Sequence, residues 1–222
     1  MEQAEYLYRI VSYSRALDLF SSRELHLASP RQWCDPFETL LRHRRSHGLF
    51  AQCWCKKSVS DAMWRIYSQD QRSVRLRTTR AKLAAAVSSS STADFGLWVR
   101  DVDYKSPTKV RVTLLRLHQR LSANYSVEEA VEALFLKRDA FDHEKEVRLV
   151  VHDASVSDSS PPRSSLRLRI EPHQLIDSIM FDPRVEGGFY QSSKKHLEGA
   201  VGFQGTIGKS ALYRMQQPLV VE

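Results

Sequence analysis

The chain of 222 residues carries a net charge of +7, with 42% hydrophobic and 27% charged residues. These values are ordinary for a soluble globular protein and allow a core of reasonable size. No stretch reaches the roughly 20 apolar residues of a membrane span, and three cysteines are too few for a disulfide framework. The first residues lack the basic and apolar regions of a secretory signal. We therefore expect a single domain over residues 1–222, located in the cytoplasm and with no membrane partner.

Alternating and helical spacings of apolar residues divide the first part of the chain into short elements. Ser14 is the predicted cap of the first helix, and Ser60 with Asp61 begins the second. Residues 88–92 are rich in serine and predict a turn or linker. In chain order the prediction is strand 7–11, helix 15–23, strand 25–28, strand 49–55, helix 60–67, strand 74–77 and helix 79–87.

The second part of the chain continues with more strands than helices. Two strands are predicted to pair across Ser106-Pro107, and Ser126 with Glu129 forms a capping-box pattern. Residues 153–165, rich in Ser, Asp and Pro, predict a mobile surface loop. Strands and helices do not alternate strictly, which favours an α+β fold with a mixed, mainly antiparallel sheet and helices packed around it. The predicted order is strands 97–104 and 109–113, helices 114–121 and 126–136, strands 144–151, 166–170 and 176–181, helix 190–199 and strand 211–215.

The strand predicted at 144–151 carries the most informative pattern. Because side chains alternate between the faces of a strand, Glu144, Glu146 and Arg148 share one face, and Val147 begins the apolar face. Two carboxylates and a guanidinium in a row form a candidate reactive surface. A surface salt-bridge ladder on an edge strand has the same pattern.

A second charged segment is Asp35-Pro36-Phe37-Glu38. Asp before Pro commonly opens a turn or caps a helix. If the fold brings this segment to the charged strand, Asp35 and Glu38 join its carboxylates, and Phe37 lies between them. We therefore include these three residues as supporting or substrate-binding candidates, together with Arg148.

Positive charge is concentrated in residues 42–47 and in a series of basic residues between positions 65 and 82, which includes Arg75 and Arg77. Such clusters are either a solvated basic surface or a binding surface for phosphates of a nucleotide or nucleic acid. Arg75, Arg77 and the cluster at residues 42–47 are the candidates for the second role.

Cys53 and Cys55 share one predicted strand face, but structural zinc normally has four ligands, and no second Cys or His pair stands at matching spacing. We expect these thiols to pack in the core and expect no metal. The glycines lack the flanking residues of a phosphate-binding loop, and no serine-hydrolase elbow is present.

Several segments together resemble the bacterial domain-of-unknown-function family 2971. They are Leu7–Ile10, Leu25–Pro30 continuing into Asp35–Glu38, Ala62–Tyr67, Lys137–Leu149 and Ile176–Phe181. The segments occur in the family's order and cover most of the chain. Ile66 and Gln71 stand where the family usually has histidine, and Ser73 where it usually has glycine, so any chemistry that depends on those histidines is altered here.

The order of motifs also resembles an ADP-ribosyltransferase. The similarity implies that NAD is the co-substrate and that Glu146 stabilises the oxocarbenium character of its ribose, while Glu144 acts as base toward the acceptor. Arg9 then pairs with the pyrophosphate, and an aromatic ring stacks on nicotinamide. The cofactor-binding residues implied in this way are Tyr8, Arg9, Ser29, Trp64 and Tyr67.

Three classes of function remain open at this point. The leading hypothesis is an ADP-ribosyltransferase-like effector or toxin, in phage defence for example, with nucleic acid as a suitable acceptor. A nucleic-acid-binding or metal-dependent nuclease component would use the basic clusters, with Asp35, Glu144 and Glu146 as oxygen ligands. A catalytically degenerate protein-interaction subunit would explain the altered positions Ile66 and Gln71.

Overall fold

The structure, a computed structural model, describes residues 4–43, 47–90, 95–157 and 159–214. Arg44, Arg45 and Ser46 of the basic cluster at 42–47, the end of the linker predicted at 88–92, and Met215 lie outside these ranges. The strands are β1 (Tyr6–Ser12), β2 (Glu24–Ala28), β3 (Leu49–Cys55), β4 (Ser73–Thr79), β5 (Phe95–Asp101), β6 (Asp103–Lys105), β7 (Leu136–Arg138), β8 (Glu146–Asp153), β9 (Ser165–Arg169), β10 (Ser178–Phe181) and β11 (Thr206–Lys209). The α-helices are α1 (Tyr13–Ser22), α2 (Asp61–Tyr67), α3 (Arg80–Ser90), α4 (Pro107–Ala123), α5 (Val127–Ala133), α6 (Pro172–Leu175) and α7 (Gly187–Gly199).

Nine of these strands form one sheet, in which β11-β10-β4-β1-β3-β2-β9 are neighbours and β8 pairs with both β3 and β5. The β10–β11 pair is parallel, and the pairs that join the other strands of this sheet are antiparallel. A separate two-stranded parallel sheet consists of β6 and β7. The prediction of an α+β fold with a mixed, mainly antiparallel sheet is confirmed.

Strand β3 is the branch point of the large sheet. On one side it pairs with β8 along its whole length, from Leu49 opposite His152 to Cys55 opposite Glu146. On the other side two strands share its edge: β1 joins at Tyr8–Cys55, and β2 joins at Ala28–Ala51. Because β1 and β2 diverge between these two points, the edge of β3 around Gln52–Trp54 is flanked by an opening, which we call the β1–β2 gap.

Apolar side chains pack on both faces of the sheet. The larger cluster includes Leu7 of β1, Val147 and Leu149 of β8, Leu83 of α3 and Leu197 of α7, each 0% exposed. Helices α4 and α5 cover the opposite face of β3 and β8, where Val150 lies in a second cluster. Burial of each such side chain contributes about 1.5–3 kcal/mol. Alternation along β8 therefore leaves Glu146 and Arg148 on the side of α4 and α5.

Four predicted elements differ from the structure. Residues 109–113 are helical, since Ser106 is the N-cap residue of α4 and Pro107 occupies its first turn, a position that proline favours. The strand predicted at 97–104 is divided between β5 and β6, which lie in different sheets. The helix predicted to begin at Ser14 is capped by Ser12. The last strand is Thr206–Lys209 and does not lie at 211–215.

The remaining predicted elements correspond to observed ones with shifted ends. The capping box is present at α5, where the Glu129 N–H donates to the Ser126 hydroxyl over 3.3 Å. Residues 153–165 connect β8 to β9, with Arg163 paired to Asp153 at 2.5 Å. The mobility predicted for this connection stays a prediction, as does the single domain.

Candidate functional site

Five charged side chains meet where β7 and β8 begin, and we call them the carboxylate cluster: Glu38, Lys137, Glu144, Glu146 and Arg148. Lys137 Nζ lies 2.5 Å from the Glu144 carboxylate and 3.4 Å from that of Glu146. Arg148 lies 2.7 Å from Glu146 and also pairs with Glu38. These side chains are 1–8% exposed. The cluster is therefore a buried ionic network with fixed geometry.

The position of Glu144 differs from the prediction. Glu144 ends a 3₁₀ turn at Asp139–Glu144, and strand β8 begins only at Glu146. Lys145, between them, has a φ of 45°, which lies in the left-handed region and breaks the alternation of a strand. The two carboxylates nevertheless approach each other, because Lys137 bridges them.

Lys137 is the member of the cluster that the sequence analysis missed as a site residue. It lies on β7, a strand that was not predicted; the predicted helix 126–136 ended at its first residue, Leu136. No local spacing links Lys137 to the charged strand. Its place in the Lys137–Leu149 segment that resembles the family was the available signal.

Burial and charge act in opposite directions on the ionisation of this cluster. For Glu146, burial disfavours the charged form, but Arg148 and Lys137 outweigh it and hold its pKa below the ordinary value. For Glu38, burial prevails over Arg148 and raises the pKa. Burial also acts against the charge of Lys137, but the three carboxylates outweigh it and raise its pKa. Glu146 and Lys137 are thus both ionised near neutral pH.

The Asp35–Glu38 turn docks onto this cluster through two arginines. The Asp35 carboxylate accepts a hydrogen bond from the Phe37 N–H over 3.0 Å, which forms an Asx turn, and it pairs with Arg138 at 2.9 Å. The guanidinium of Arg138 lies 4.5 Å from the centre of the Phe37 ring. Glu38, at the end of the turn, reaches Arg148. These ion pairs hold the Asp35–Glu38 turn against β7 and β8.

Helix α2 contributes Tyr67 and Trp64 to the same region in different ways. The Tyr67 hydroxyl donates to the Glu144 carboxylate over 3.2 Å, although the residue as a whole is 45% exposed. Trp64 is 1% exposed and packs in the interior. Of the altered family positions, Ile66 is exposed and Gln71 has a φ of 60°. Tyr67 therefore lies between the carboxylates and solvent.

Strands β1 and β4 present what we call the arginine–tyrosine face: Tyr6, Tyr8, Arg75 and Arg77. Arg75 lies 4.9 Å from the centre of the Tyr8 ring, and Arg77 lies 4.7 Å from that of Tyr6. Nε and one terminal nitrogen of Arg75, and Nε of Arg77, are buried and make no hydrogen bond among the residues that the structure describes. Burial, together with the neighbouring Arg77, lowers the pKa of Arg75. Stacking on tyrosine thus holds two cations side by side.

Register places this face and the carboxylate cluster in one row across the sheet. Arg77 is opposite Tyr8, Tyr8 is opposite Cys55, and Cys55 is opposite Glu146. Side chains of residues directly opposite each other in a sheet project to the same face. The row therefore runs from the arginine–tyrosine face to Glu146.

Arg9 does not share this face. Because successive side chains of a strand alternate, Arg9 projects to the opposite side from Tyr8, and its guanidinium donates to the carbonyl of Cys53 over 2.6 Å in the β1–β2 gap. This placement does not fit the expectation that Tyr8 and Arg9 hold one ligand together. Ser29 is buried next to β2, where its N–H donates to the carbonyl of Ser164.

Within the described ranges, no group of three His, Cys, Asp or Glu side chains is arranged to hold a metal ion. Burial raises the pKa of the Cys53 thiol to about 12, so this thiol is protonated at neutral pH. In the same ranges, no helix has the length and apolar character that a membrane crossing requires.

A known family is recognised in a segment that includes most of α2, all of β7 and Glu146. The family described as "Protein of unknown function (DUF2971)" matches residues 63–149. The resemblance to this family is confirmed over that range. The segments at Leu7–Ile10, Leu25–Glu38 and Ile176–Phe181 lie outside it.

A comparison with curated proteins found no match. Among solved structures, similarity was found to DarT of Thermus sp. 2.9 in three complexes. The complex with NAD⁺ has 10% identity and a TM-score of 0.43 over 94% of this chain and 96% of that one. The complex with carba-NAD⁺ has 9% identity and a TM-score of 0.44 over 95% and 97%. The complex with ADP-ribosylated ssDNA has 10% identity and a TM-score of 0.43 over 95% and 98%.

Proposed function

We propose that this chain is an NAD-dependent ADP-ribosyltransferase-like protein with Glu146 as its catalytic carboxylate. One observation carries the proposal: Glu146 is held in its charged form by Arg148 and Lys137, at the end of a row that begins with Arg77 and Tyr8. A fixed negative charge beside an aromatic and cationic surface suits a ligand that contains a ribose, a pyridinium ring and phosphates.

The chemistry requires few groups. Transfer breaks the bond between ribose C1′ and the nicotinamide nitrogen, and the electron pair leaves with nicotinamide. Positive charge develops on the ribose, and the Glu146 carboxylate stabilises it without reorganisation, because Arg148 and Lys137 already fix its position. The acceptor nucleophile then bonds to C1′ and gives its proton to Glu144, which lies across Lys137 from Glu146.

The accessible rings for nicotinamide are Tyr8 and Tyr67, since Trp64 packs in the interior. For the pyrophosphate we favour Arg75 over Arg9. Arg75 stacks on Tyr8 and lines a small cavity together with Lys57, whereas Arg9 projects to the other face. This assignment replaces the role that the sequence resemblance implied for Arg9.

The acceptor that best suits this surface is a single-stranded nucleic acid. Arg75 and Arg77 have buried nitrogens without hydrogen bonds in the described part of the chain, and Tyr6 offers a ring that is 41% exposed. Phosphates pair with the arginines and bases stack on tyrosine, as in other proteins that bind single strands. A single-stranded nucleic acid bound to this face would extend along the row toward Glu146.

An effector role accompanies this proposal, as a toxin or in phage defence, because ADP-ribosylated nucleic acid obstructs copying. Expression of the wild-type chain in a bacterial host should then arrest growth, and the Glu146→Gln chain should not. Equal growth of the two strains, at equal protein levels, would remove the effector role but leave the enzymatic proposal open to direct assay.

The test of the activity is nicotinamide release from NAD by purified protein, with and without single-stranded DNA or RNA. We expect Glu146→Gln to lower the rate by about 100-fold or more, the usual effect of removing a charge that stabilises a transition state. Glu132→Gln is the matched control. Glu132 lies on α5, is exposed and pairs with Arg100 of β5. Retention of the wild-type rate in Glu146→Gln would falsify the assignment.

A protein-interaction subunit is the second candidate, because every member of the carboxylate cluster already has a charged partner within the chain. In that case NAD does not change the melting temperature of the protein, and no product is formed from NAD. A nuclease, by contrast, would lose activity when a chelator removes its metal, whereas the proposed transferase loses activity when NAD is omitted.

A further inference from the structure

A cleft of about 260 Å³ opens in the β1–β2 gap, on the side of the sheet opposite to Tyr8. Its floor is apolar and includes Trp54, Leu76 and Ile176. Its rim is cationic, with Arg9 from β1, Arg15 from α1 and Arg167 from β9 among the lining residues; the other polar ones are Asp18, Glu24, His26 and Gln52. The proposed transferase chemistry makes no use of this cleft.

His26 lines the same cleft, where it lies opposite Arg167 in the β2–β9 pair. Burial lowers the pKa of His26, and Arg167, Arg15 and Arg9 lower it further, against a weaker opposing effect of Asp18. Arg167 forms an ion pair with Glu24 at 3.1 Å, but both side chains are well exposed, so the pair is readily exchanged for another anion. The described lining residues therefore include three arginines against two carboxylates, Asp18 and Glu24, and neither carboxylate is buried.

The walls of the cleft are preformed. Where β1 and β2 leave the edge of β3, side chains replace the missing strand: Arg9 donates to the carbonyl of Cys53 over 2.6 Å. The Gln52 side-chain amide donates to the carbonyl of His26 over 2.9 Å, and the Trp54 indole N–H donates to Gln52 over 2.8 Å. These bonds fix the indole in the floor and the Arg9 guanidinium at the edge of the opening.

The volume limits the ligand. Sites for drug-sized ligands measure about 300–1,000 Å³, so this cleft is too small for a whole dinucleotide such as NAD. An apolar floor with an arginine rim suits one flat ring and one phosphate, since guanidinium groups bind phosphate oxygens in pairs. We propose that the cleft of the β1–β2 gap binds a small organic phosphate of the size of a nucleoside monophosphate.

This proposal does not depend on the transferase activity, and its test is a binding measurement by calorimetry with AMP as the probe. AMP should bind, while adenosine and inorganic phosphate should each bind more weakly, because each lacks one half of the contacts. Arg15→Gln and Arg167→Gln should weaken AMP binding by about tenfold each, as expected for the loss of a charge-assisted hydrogen bond. Both arginines are exposed enough that the fold should tolerate the change.

Arg169→Gln is the matched control, because Arg169 lies two residues from Arg167 on the same exposed face of β9 and does not line the cleft. AMP binding in this variant should equal that of the wild type. Absence of AMP binding, or equal weakening by Arg169→Gln, overturns the proposal. NAD should leave bound AMP in place, and displacement of AMP by NAD would instead make the cleft part of the co-substrate site and overturn a separate phosphate site.

Discussion

The carboxylate cluster and the arginine–tyrosine face lie on the same side of one sheet, but they differ in whether their charged groups are paired within the chain. In the cluster, three carboxylates pair with two cations almost entirely out of solvent. On the arginine–tyrosine face, Arg75 and Arg77 rest on tyrosine rings, and no carboxylate in the described part of the chain forms an ion pair with either. The first arrangement fixes a geometry, whereas the second leaves capacity for an external anion.

The largest expected effect is on the stability of the fold and tests the carboxylate cluster. Arg148→Gln leaves Glu38 and Glu146 buried without their main partner, which should lower the free energy of unfolding by about 3–5 kcal/mol in urea denaturation. Arg23→Gln removes a partner of Glu171 in an exposed pair and should have little effect. A similar small loss in both variants would mean that the cluster does not act as a buried network.

The next largest expected effect is on nucleic-acid binding and tests the arginine–tyrosine face. Arg75→Gln with Arg77→Gln should weaken binding of single-stranded nucleic acid and reduce the slope of log K against log salt by about 0.7 per lost phosphate contact. Stability should not fall, since these arginines have buried nitrogens without hydrogen bonds in the described chain. Arg116→Gln, on the exposed side of α4, is the control. An unchanged salt slope in the double variant would remove this face from the binding surface.

The smallest expected effect concerns pH. A carboxylate whose folded pKa is lowered, as for Glu146, contributes stability above its unfolded pKa and loses it as pH falls through the folded pKa. The stability difference between wild type and Glu146→Gln should therefore be largest above about pH 5 and shrink toward acid. Denaturation at several pH values measures it, and a difference independent of pH would contradict the paired, ionised state of Glu146.

For Glu38 we expect the opposite dependence of stability on pH. Its folded pKa is raised by burial, so its contribution to stability is present at low pH and declines as pH rises through that pKa. The wild-type advantage over Glu38→Gln should accordingly grow toward acid. If both variants showed the same slope, the two carboxylates would not differ in environment as the structure indicates.

Local patterns predicted the parts of the site that depend on one strand. Alternation in β8 correctly separated Val147 and Leu149 from Glu146 and Arg148, because one face of this strand is buried in the large core. It failed at Glu144, since the left-handed Lys145 separates this residue from β8, which begins only at Glu146. A single backbone angle at a strand end is not encoded in a hydrophobic pattern.

The partners that come from elsewhere in the chain could not be predicted in this way. Lys137 meets Glu146 through the parallel pairing of β6 with β7, and the gap beside Gln52 depends on two strands that share one edge. Both follow from tertiary topology. The helix predicted at 114–121 lies within α4, but the start of α4 was missed for a local reason, because Ser106-Pro107 was interpreted as a turn between strands and not as a helix start.

The branching of the sheet at β3 also determines how easily this strand can open. Amides of β3 that point toward β8 are protected by a continuous ladder, whereas the edge around Gln52–Trp54 is secured by the side chains of Arg9 and Gln52. Side-chain bonds can rearrange without unfolding a ladder. Strand β3 is thus held more firmly on the side of β8, which bears Glu146, than at its opposite edge, where local opening requires only that side-chain bonds rearrange.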